Sequence, residues 1–352
     1  SATDNLSGNN NTITFNALAD GTYSNCKIQV RDSAGNTSDN LSVSSFTIDT
    51  VKPVLVQVTA VTTPTNDTTP EYSFSSTEAG TNSYGGSCGS SSTSATSSGL
   101  DNVTIILTQP DNSTALSEAQ YADCTITVTD SAGNASSALS VNTFVVDTTA
   151  PTVSSISSST SDGPYKLNDN ITVTVTFNET MIVDYSSGNP RIQLETGTND
   201  RYANYVSGNS SSILSFLYTV QSGDNSSDLD YKGTDSLSVN SGTIQDNATN
   251  TATLTLPSPG ASDSLGINKA ILIDATAPTA TLAYSVGGSA VTSVRTGDNV
   301  SITSSFSETI ADSPVMQISG SGVDNFTSTN MTKDNTTSRS EEHTSELQSQ
   351  SN

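Results

Sequence analysis

A stretch of about thirty residues occurs twice in this chain, and it constrains the fold more than any other feature. Residues 23–53 and residues 121–151 align without a gap at a constant offset of 98 residues. A fixed offset over so many positions indicates a duplicated structural unit about the size of one small β-domain. The sequence therefore predicts a tandem array. The residues shared at this offset are Tyr23 and Tyr121, Cys26 and Cys124, Asp32 and Asp130, Asn36 and Asn134, Asp49 and Asp147, and Pro53 and Pro151.

The repeated stretch has the pattern of a β-hairpin followed by a stiff connection. Thr125–Thr129 alternates threonine with isoleucine and valine, which is the period of a half-buried strand. Residues 130–134 carry turn chemistry, because Gly133 and Asn134 tolerate positive φ. A second strand is predicted next, and Pro151 stiffens the exit from the unit. The apolar residues assigned to that second strand are Leu139, Val141, Phe144 and Val146.

The D-x-A-G-N turn at 130–134 and the D-T-x-x-P connection at 147–151 resemble the bacterial Ig-like repeats of large cell-surface proteins. The resemblance extends over the chain up to about residue 338. It implies an all-β fold built of tandem Ig-like β-sandwich domains in a linear array. It also implies an extracellular location, at the cell surface or secreted, and neighbouring repeats of the same chain as partners.

The repeat and its joints divide the chain into four units and a tail. The first unit, residues 1–50, is predicted to be the C-terminal half of a truncated domain, and the second, residues 51–149, a complete domain. The third unit, residues 150–276, is predicted to be a larger β-sandwich, and the fourth, residues 277–338, the N-terminal part of another. Residues 339–349 resemble a translated sequencing adapter, so residues 339–352 are interpreted as a non-native tail and excluded from the fold.

Composition excludes several classes of function. The chain of 352 residues has a net charge of −24 and only 11 lysines and arginines, which argues against nucleic acid or an anionic membrane as a partner. No apolar run reaches membrane-spanning length. The one histidine, His343, lies in the predicted tail, which leaves no imidazole for a catalytic triad. The sequence therefore predicts a protein that is not an enzyme.

Acidic and amide side chains are predicted to meet where the units join. In an Ig-like sandwich the B–C loop, the F–G loop and the entering chain lie at one pole, and these segments carry hard oxygen ligands of the kind Ca²⁺ prefers. A Ca²⁺ site is predicted at each of two joints. The alternative is that the aspartates and asparagines only close turns. The predicted ligands are Asp49, Glu78, Asp130 and Asn134 at the second unit, and Asp147, Glu179, Asp246 and Asn250 at the third.

The acidic cluster at residues 224–230 lacks the spacing of a known metal-binding loop. We interpret it as a solvated surface.

Three cysteines leave one without a partner. Cys88 and Cys124 lie in one unit on predicted neighbouring strands, so a disulfide is predicted between them. Cys26 matches Cys124, and its partner would precede Ser1. The alternative is three reduced cysteines.

Two functions from different classes remain open. The leading hypothesis is a structural stalk segment of an adhesin-like surface protein, with contacts to host or surface glycans or proteins made by domains outside this segment. The alternative is a carbohydrate- or ligand-binding accessory module of a secreted protein. Since tryptophan is absent, its aromatic platforms would be tyrosines, with Tyr84, Tyr202 and Tyr205 as candidates.

Overall fold

The computed structural model describes residues 12–95, 102–295, 297–308, 332–335 and 338–344. The described chain is almost entirely β-structure with a single helical turn, which confirms the predicted all-β class. The described residues contain no apolar helical segment of membrane-spanning length.

The first unit contributes four short strands in two antiparallel pairs. Strand β1 (Gly21–Tyr23) pairs with β4 (Phe46–Ile48), and β2 (Lys27–Ile28) pairs with β3 (Leu41–Ser42). The Tyr23 ring stacks on that of Phe46 with 5.3 Å between centroids.

The described residues of the second unit form nine strands in three sheets. One sheet has the order β5–β6–β9, another β12–β11–β7–β8, and β10 pairs with β13. Their apolar inner faces form one core that includes Tyr72, Phe74 and Phe144. A disulfide joins Cys88 to Cys124 with 5.2 Å between the Cα atoms, and Cys26 is free. The strands are β5 (Leu55–Thr59), β6 (Glu71–Ser76), β7 (Gly80–Gly85), β8 (Ser94–Ala95), β9 (Asn102–Ile106), β10 (Ala119–Tyr121), β11 (Thr125–Thr129), β12 (Leu139–Ser140) and β13 (Phe144–Val146).

The predicted second strand of the repeated hairpin was wrong in its extent. The structure divides it into β12, which pairs with β11, and β13, which pairs with β10 in another sheet. The spacing of three residues between buried Val141 and Phe144 breaks the period of two that a single strand requires. The Asn142 side chain bonds the backbone N–H and C=O of Val61 at 2.9 and 3.0 Å, which fixes the crossing.

The third unit is built on a large sheet with the order β14–β16–β19–β18–β17–β21, with β22 also paired to β16. A smaller sheet has the order β15–β23–β20, and its β15–β23 pair is parallel. The buried apolar residues of this unit form one core between Ile156 and Ile273. The elements are β14 (Val153–Ser158), β15 (Gly163–Tyr165), β16 (Asn170–Asp184), β17 (Arg191–Leu194), β18 (Arg201–Ser207), β19 (Ser211–Thr219), β20 (Asn225–Ser226), β21 (Leu237–Ser238), β22 (Thr243–Gln245), α1 (Leu265–Asn268) and β23 (Ile271–Asp274).

Strand β16 runs through Glu179, a residue that the Ig-like reading assigns to a loop. It continues to Asp184, and its register against β19 shifts between Thr176 and Met181. Its first half pairs with β19 and its last residues pair with β22, so the strand bends at residues 177–180. Burial of Met181 and Val183 keeps the inward alternation beyond the bend, which explains why the strand does not stop.

The interpretation of residues 224–230 as a solvated surface was wrong for Asp224, which is only 1% exposed. Its Oδ1 accepts a hydrogen bond from the Arg201 guanidinium at 2.9 Å, and its Oδ2 accepts from the Tyr218 hydroxyl and from the Gln221 backbone N–H. These three donors offset the cost of burying the charge. Asp228 remains exposed, as predicted.

The remaining described residues form a five-stranded sheet with the order β25–β24–β26–β28–β27. Strand β28 lies almost wholly within the predicted non-native tail, which the sequence analysis excludes from the fold. It pairs with β26 from Asn299↔Thr344 to Ser305↔Ser338, because an unpaired strand edge accepts any extended segment. The strands are β24 (Ala280–Val286), β25 (Ser289–Ala290), β26 (Asn299–Phe306), β27 (Thr332–Asn335) and β28 (Ser338–Thr344).

Candidate metal centre

The turn after β11 is held by a carboxylate that accepts hydrogen bonds from its own loop. Asp130 Oδ1 accepts from the backbone N–H groups of Ala132 and Asn134 at 2.8 and 2.9 Å. Asp130 Oδ2 accepts from the Asn134 side-chain amide at 2.8 Å. The Asn134 side chain is therefore the main cause that lowers the pKa of Asp130, which stays ionised although it is buried.

The same turn recurs after β22. Asp246 Oδ1 accepts from the Asn250 backbone N–H, and Oδ2 accepts from the Asn250 side-chain amide, both at 2.8 Å. Both residues are buried. The D-x-A-G-N motif and its degenerate copy thus give one local geometry.

Each turn asparagine also contacts the chain that enters the unit. The Asn134 side-chain amide donates to the backbone carbonyl of Asp49 at 3.0 Å, and that of Asn250 donates to the carbonyl of Asp147 at 2.8 Å. Each amide nitrogen therefore connects its turn to the entering chain. Ca²⁺ would bind the amide oxygens of Asn134 and Asn250, which these bonds leave available, so both residues stay predicted ligands beside the three carboxylates of each joint.

The glutamates come from the β6–β7 connection and from the bend in β16. Glu78 lies between β6 and β7, and Glu179 lies in the segment of β16 where the register against β19 shifts. The irregular segment of β16 thus contributes the Glu179 carboxylate to the joint.

The structure brings the predicted carboxylates together at both joints. Carboxylate oxygens of Asp49, Glu78 and Asp130 all lie within 4.8 Å of one another. Those of Asp147, Glu179 and Asp246 do the same. Every carboxylate of the predicted ligand sets therefore falls in its predicted group, from segments far apart in sequence.

These groups carry negative charge without a cationic side chain to balance it. The described part of the chain contains four ion pairs, and none involves a member of either group. Burial first, and then the charges of Asp49 and Asp130, raise the pKa of Glu78. Burial first, and then Asp246, Asp147 and Glu118, raise the pKa of Glu179. Three oxygen-bearing anions at such distances make an arrangement suited to a hard divalent cation such as Ca²⁺.

The sequence reasoning missed a fourth acidic residue at each joint. Glu118 Oε2 accepts hydrogen bonds from the Thr148 and Thr149 hydroxyls at 3.0 and 2.8 Å, which ties the second unit to the connection that leaves it. Its counterpart Asp20 binds the Thr50 hydroxyl and backbone N–H at 3.0 and 3.1 Å. The signal was available, since both pairs keep the offset of 98 residues.

A further acidic pair lies where the third unit meets the fourth. Burial and the neighbouring Asp274 raise the pKa of Glu308. The Asp274 carboxylate accepts from the Thr276 backbone N–H at 3.1 Å, as Asp147 accepts from Thr149. Asp274 thus repeats the local geometry of the preceding joint.

The three tyrosines proposed as sugar platforms differ in how far they are exposed to solvent. Tyr205 is only 6% exposed and packs against Phe216. Tyr202 is 39% exposed, but the Arg191 guanidinium lies 4.1 Å from its ring centroid and covers one face. The Tyr84 hydroxyl donates to the Ser92 carbonyl.

Comparison with known proteins adds no assignment to this geometry. The chain matches no protein-family model and no curated protein sequence.

Proposed function

We propose that this chain is a non-catalytic stalk segment of a bacterial extracellular surface protein, adhesin-like and built of tandem Ig-like β-sandwich repeats. Ca²⁺ bound at the joints would stiffen the array and hold a binding domain away from the cell. The carbohydrate-binding alternative has less support, since Tyr205 is buried and the Tyr84 hydroxyl is bonded to the Ser92 carbonyl. Tyr202 is its one exposed platform among the three, and the Arg191 guanidinium covers one face of that ring.

One observation carries the proposal. Two joints of different sequence each gather one carboxylate from the entering chain, one from a strand end or bend, and one from a D-x-x-x-N turn. Isolated acidic clusters are common on a chain of this charge. The same three-part arrangement at two successive joints, with the same asparagine bridge, is not expected from composition alone.

Ca²⁺ binding and closure of the joint are thermodynamically linked. Without a cation, mutual repulsion favours separation of the entering chain from the turn and the strand that follow it. A cation that bridges all three carboxylates stabilises only the closed joint, so its binding free energy adds to the rigidity of the array.

The experiment is a calorimetric titration of the chain with Ca²⁺ after removal of metal by chelation. We expect binding at the two joints, with dissociation constants between about 10 µM and 1 mM, as for sensor and extracellular sites. The Asp130→Asn and Asp246→Asn variants should each lose one site. Mg²⁺ serves as the control, because its octahedral preference fits a three-carboxylate site poorly.

Absence of binding heat at Ca²⁺ concentrations of several millimolar, or retention of both sites in both variants, would contradict the proposed role of the joints. A glycan array probed with the same chain tests the alternative function, which predicts selective binding to one class of sugar.

A further inference from the structure

The first strand of the second unit leaves an apolar edge open to solvent. Strand β5 is an edge of the sheet β5–β6–β9, and three of the valines in and beside it are exposed. No charged residue lies between Pro53 and Asn66, although the whole chain carries a net charge of −24. Proteins usually cover such an edge or place charges on it, because an open edge pairs with other strands. The valines are Val54, Val56 and Val58, with exposed fractions of 59%, 57% and 44%.

The strand at the same place in the third unit is protected. Strand β14 has the sequence VSSISS, so serine occupies most of its positions. The Ile156 N–H donates to the Asp263 carbonyl at 2.8 Å, and the Asn268 side-chain amide donates to the Ile156 carbonyl at 2.7 Å. These two contacts cover the edge of β14. The open apolar edge is therefore a property of the second unit and not of every first strand in the chain.

The backbone groups on the open side of β5 belong to Leu55 and Gln57. On the side of β6, the Val54 N–H donates to the Thr77 hydroxyl at 2.9 Å, and the Val54 carbonyl accepts from the Thr77 N–H at 3.1 Å. Since bonding directions alternate along an antiparallel strand, the N–H and carbonyl groups of Leu55 and Gln57 point away from β6. They have no hydrogen-bond partner within the described part of the chain.

Two copies of β5 match each other in one antiparallel register. When Leu55 lies opposite Gln57 of the second copy, the open N–H and carbonyl groups of both residues all find partners. The same register sets Val56 opposite its own copy and the other two valines opposite each other, so each exposed valine meets a valine. Sliding the copies until Leu55 meets itself would set Val58 opposite the charged Lys52.

We propose that β5 pairs antiparallel with β5 of a second copy of this chain, about a two-fold axis at Val56. The contact is isologous, because one surface meets itself. Backbone hydrogen bonds give the affinity, and the facing valines give the register. One added strand buries less than the roughly 1,200 Å² of a stable complex, so the association of single chains is weak. It does not depend on Ca²⁺ at the joints.

Strand β5 leads from the entering joint of the second unit towards its exit. It follows Asp49, whose carboxylate lies in one group with that of Glu78. It leads to Thr65, whose carbonyl accepts a hydrogen bond from the Asp147 N–H at 2.9 Å. Antiparallel pairing therefore sets the two chains in opposite directions. For a stalk, this geometry joins arrays that extend from facing surfaces. That consequence rests on the proposed function, whereas the pairing itself does not.

Sedimentation equilibrium of the full chain tests the pairing, in about 0.5 M NaCl to screen the net charge. At a chain concentration of about 1 mM we expect a weight-average mass at least about 1.5 times that of the monomer, as for a Kd of about 1 mM or tighter. Val56→Lys should weaken association at least about tenfold, because it sets two like charges opposite each other. Ile106→Lys is the matched control, since Ile106 is 49% exposed on β9, at the other edge of the same sheet.

Disulfide trapping tests the register without a charged substitution. Val54→Cys and Val58→Cys chains, both carrying Cys26→Ser, are mixed with oxidised glutathione, which accepts the electrons of the two thiols. We expect the disulfide between the two different variants to exceed that of either variant with itself by at least about tenfold, since pairing holds only residues 54 and 58 together. Mass spectrometry measures the three products.

A chain that stays monomeric at about 1 mM would overturn the proposal, because the association constant would then fall below that of a weak complex. Equal loss of association in Val56→Lys and Ile106→Lys would overturn the assignment to β5. Disulfides formed mainly between identical variants would overturn the antiparallel register.

Discussion

Replacing Glu179 by glutamine should have opposite effects on stability in the absence and in the presence of Ca²⁺. Glu179 shares its site with Asp147 and Asp246, and oxygens of the three carboxylates lie within 4.8 Å of one another. The substitution keeps the side-chain shape but removes one of three charges, and with it two of the three repulsive pairs. It also removes one candidate Ca²⁺ ligand.

The separation sets the size of the effect without metal. Two unit charges about 4.8 Å apart repel by about 0.9 kcal/mol at the dielectric constant of water, and by about 3.5 kcal/mol at an effective value of 20. Partial exposure of the glutamate and screening by salt favour the lower value. Loss of two pairs should therefore stabilise the metal-free chain by roughly 2 kcal/mol, which corresponds to a rise of roughly 5 °C in the transition of the third unit.

Differential scanning calorimetry in a chelator and in about 5 mM Ca²⁺, a saturating level for a site of this class, measures both effects. We expect Glu179→Gln to melt above the wild type in the chelator and below it in Ca²⁺. Asp235→Asn is the matched control, because Asp235 is exposed in the same unit, outside the acidic groups and the ion pairs of the described residues, and its loss changes the net charge equally.

A variant that melts below the wild type by the same amount in both solutions would refute the reasoning, since the carboxylate would then act through packing alone. If Asp235→Asn raises the melting temperature in the chelator by the same amount, the rise is an effect of overall charge.

Three further predictions address the bridge, the disulfide and the pH dependence. Asn250→Ala should destabilise the third unit by about 2 kcal/mol, since one partly buried and one buried hydrogen bond are lost. Calorimetry measures the loss, and a change below about 0.5 kcal/mol would exclude a structural bridge. Replacement of Cys88 and Cys124 by alanine should destabilise the second unit by about 4 kcal/mol, because the disulfide closes a loop with a sequence separation of 36. Alkylation of the unreduced wild type should find one free thiol. The raised pKa values of Glu78 and Glu179 predict that Ca²⁺ affinity, titrated at several pH values, falls as the pH drops through them. A Ca²⁺ affinity that does not change with pH would contradict the grouping of the carboxylates. In the metal-free protein the two glutamates affect the free energy of unfolding with the opposite sign. Their stabilising contribution is full below the ordinary glutamate pKa and is lost as the pH rises through the raised values.

The sequence by itself determined the class of fold, the unit length and the local turns. Strong alternation predicts β11 and the first half of β16, and the fixed offset predicts that two units share one pattern of pairing. Because the Asp130 turn is held by hydrogen bonds within five residues, its geometry follows from local chemistry. The grouping of the carboxylates followed from the resemblance combined with these turns.

Tertiary structure decided what depends on contacts between distant segments. The spacing of Val141 and Phe144 marks the break in the strand, but the sheet that each part joins depends on distant contacts such as the bond between Asn142 and Val61. The burial of Asp224 depends on Arg201 and Tyr218, and without them an acidic run is predicted to face water. The position of Glu179 depends on a register shift within β16, since a strand's period fixes only the side of the sheet and not where the strand bends.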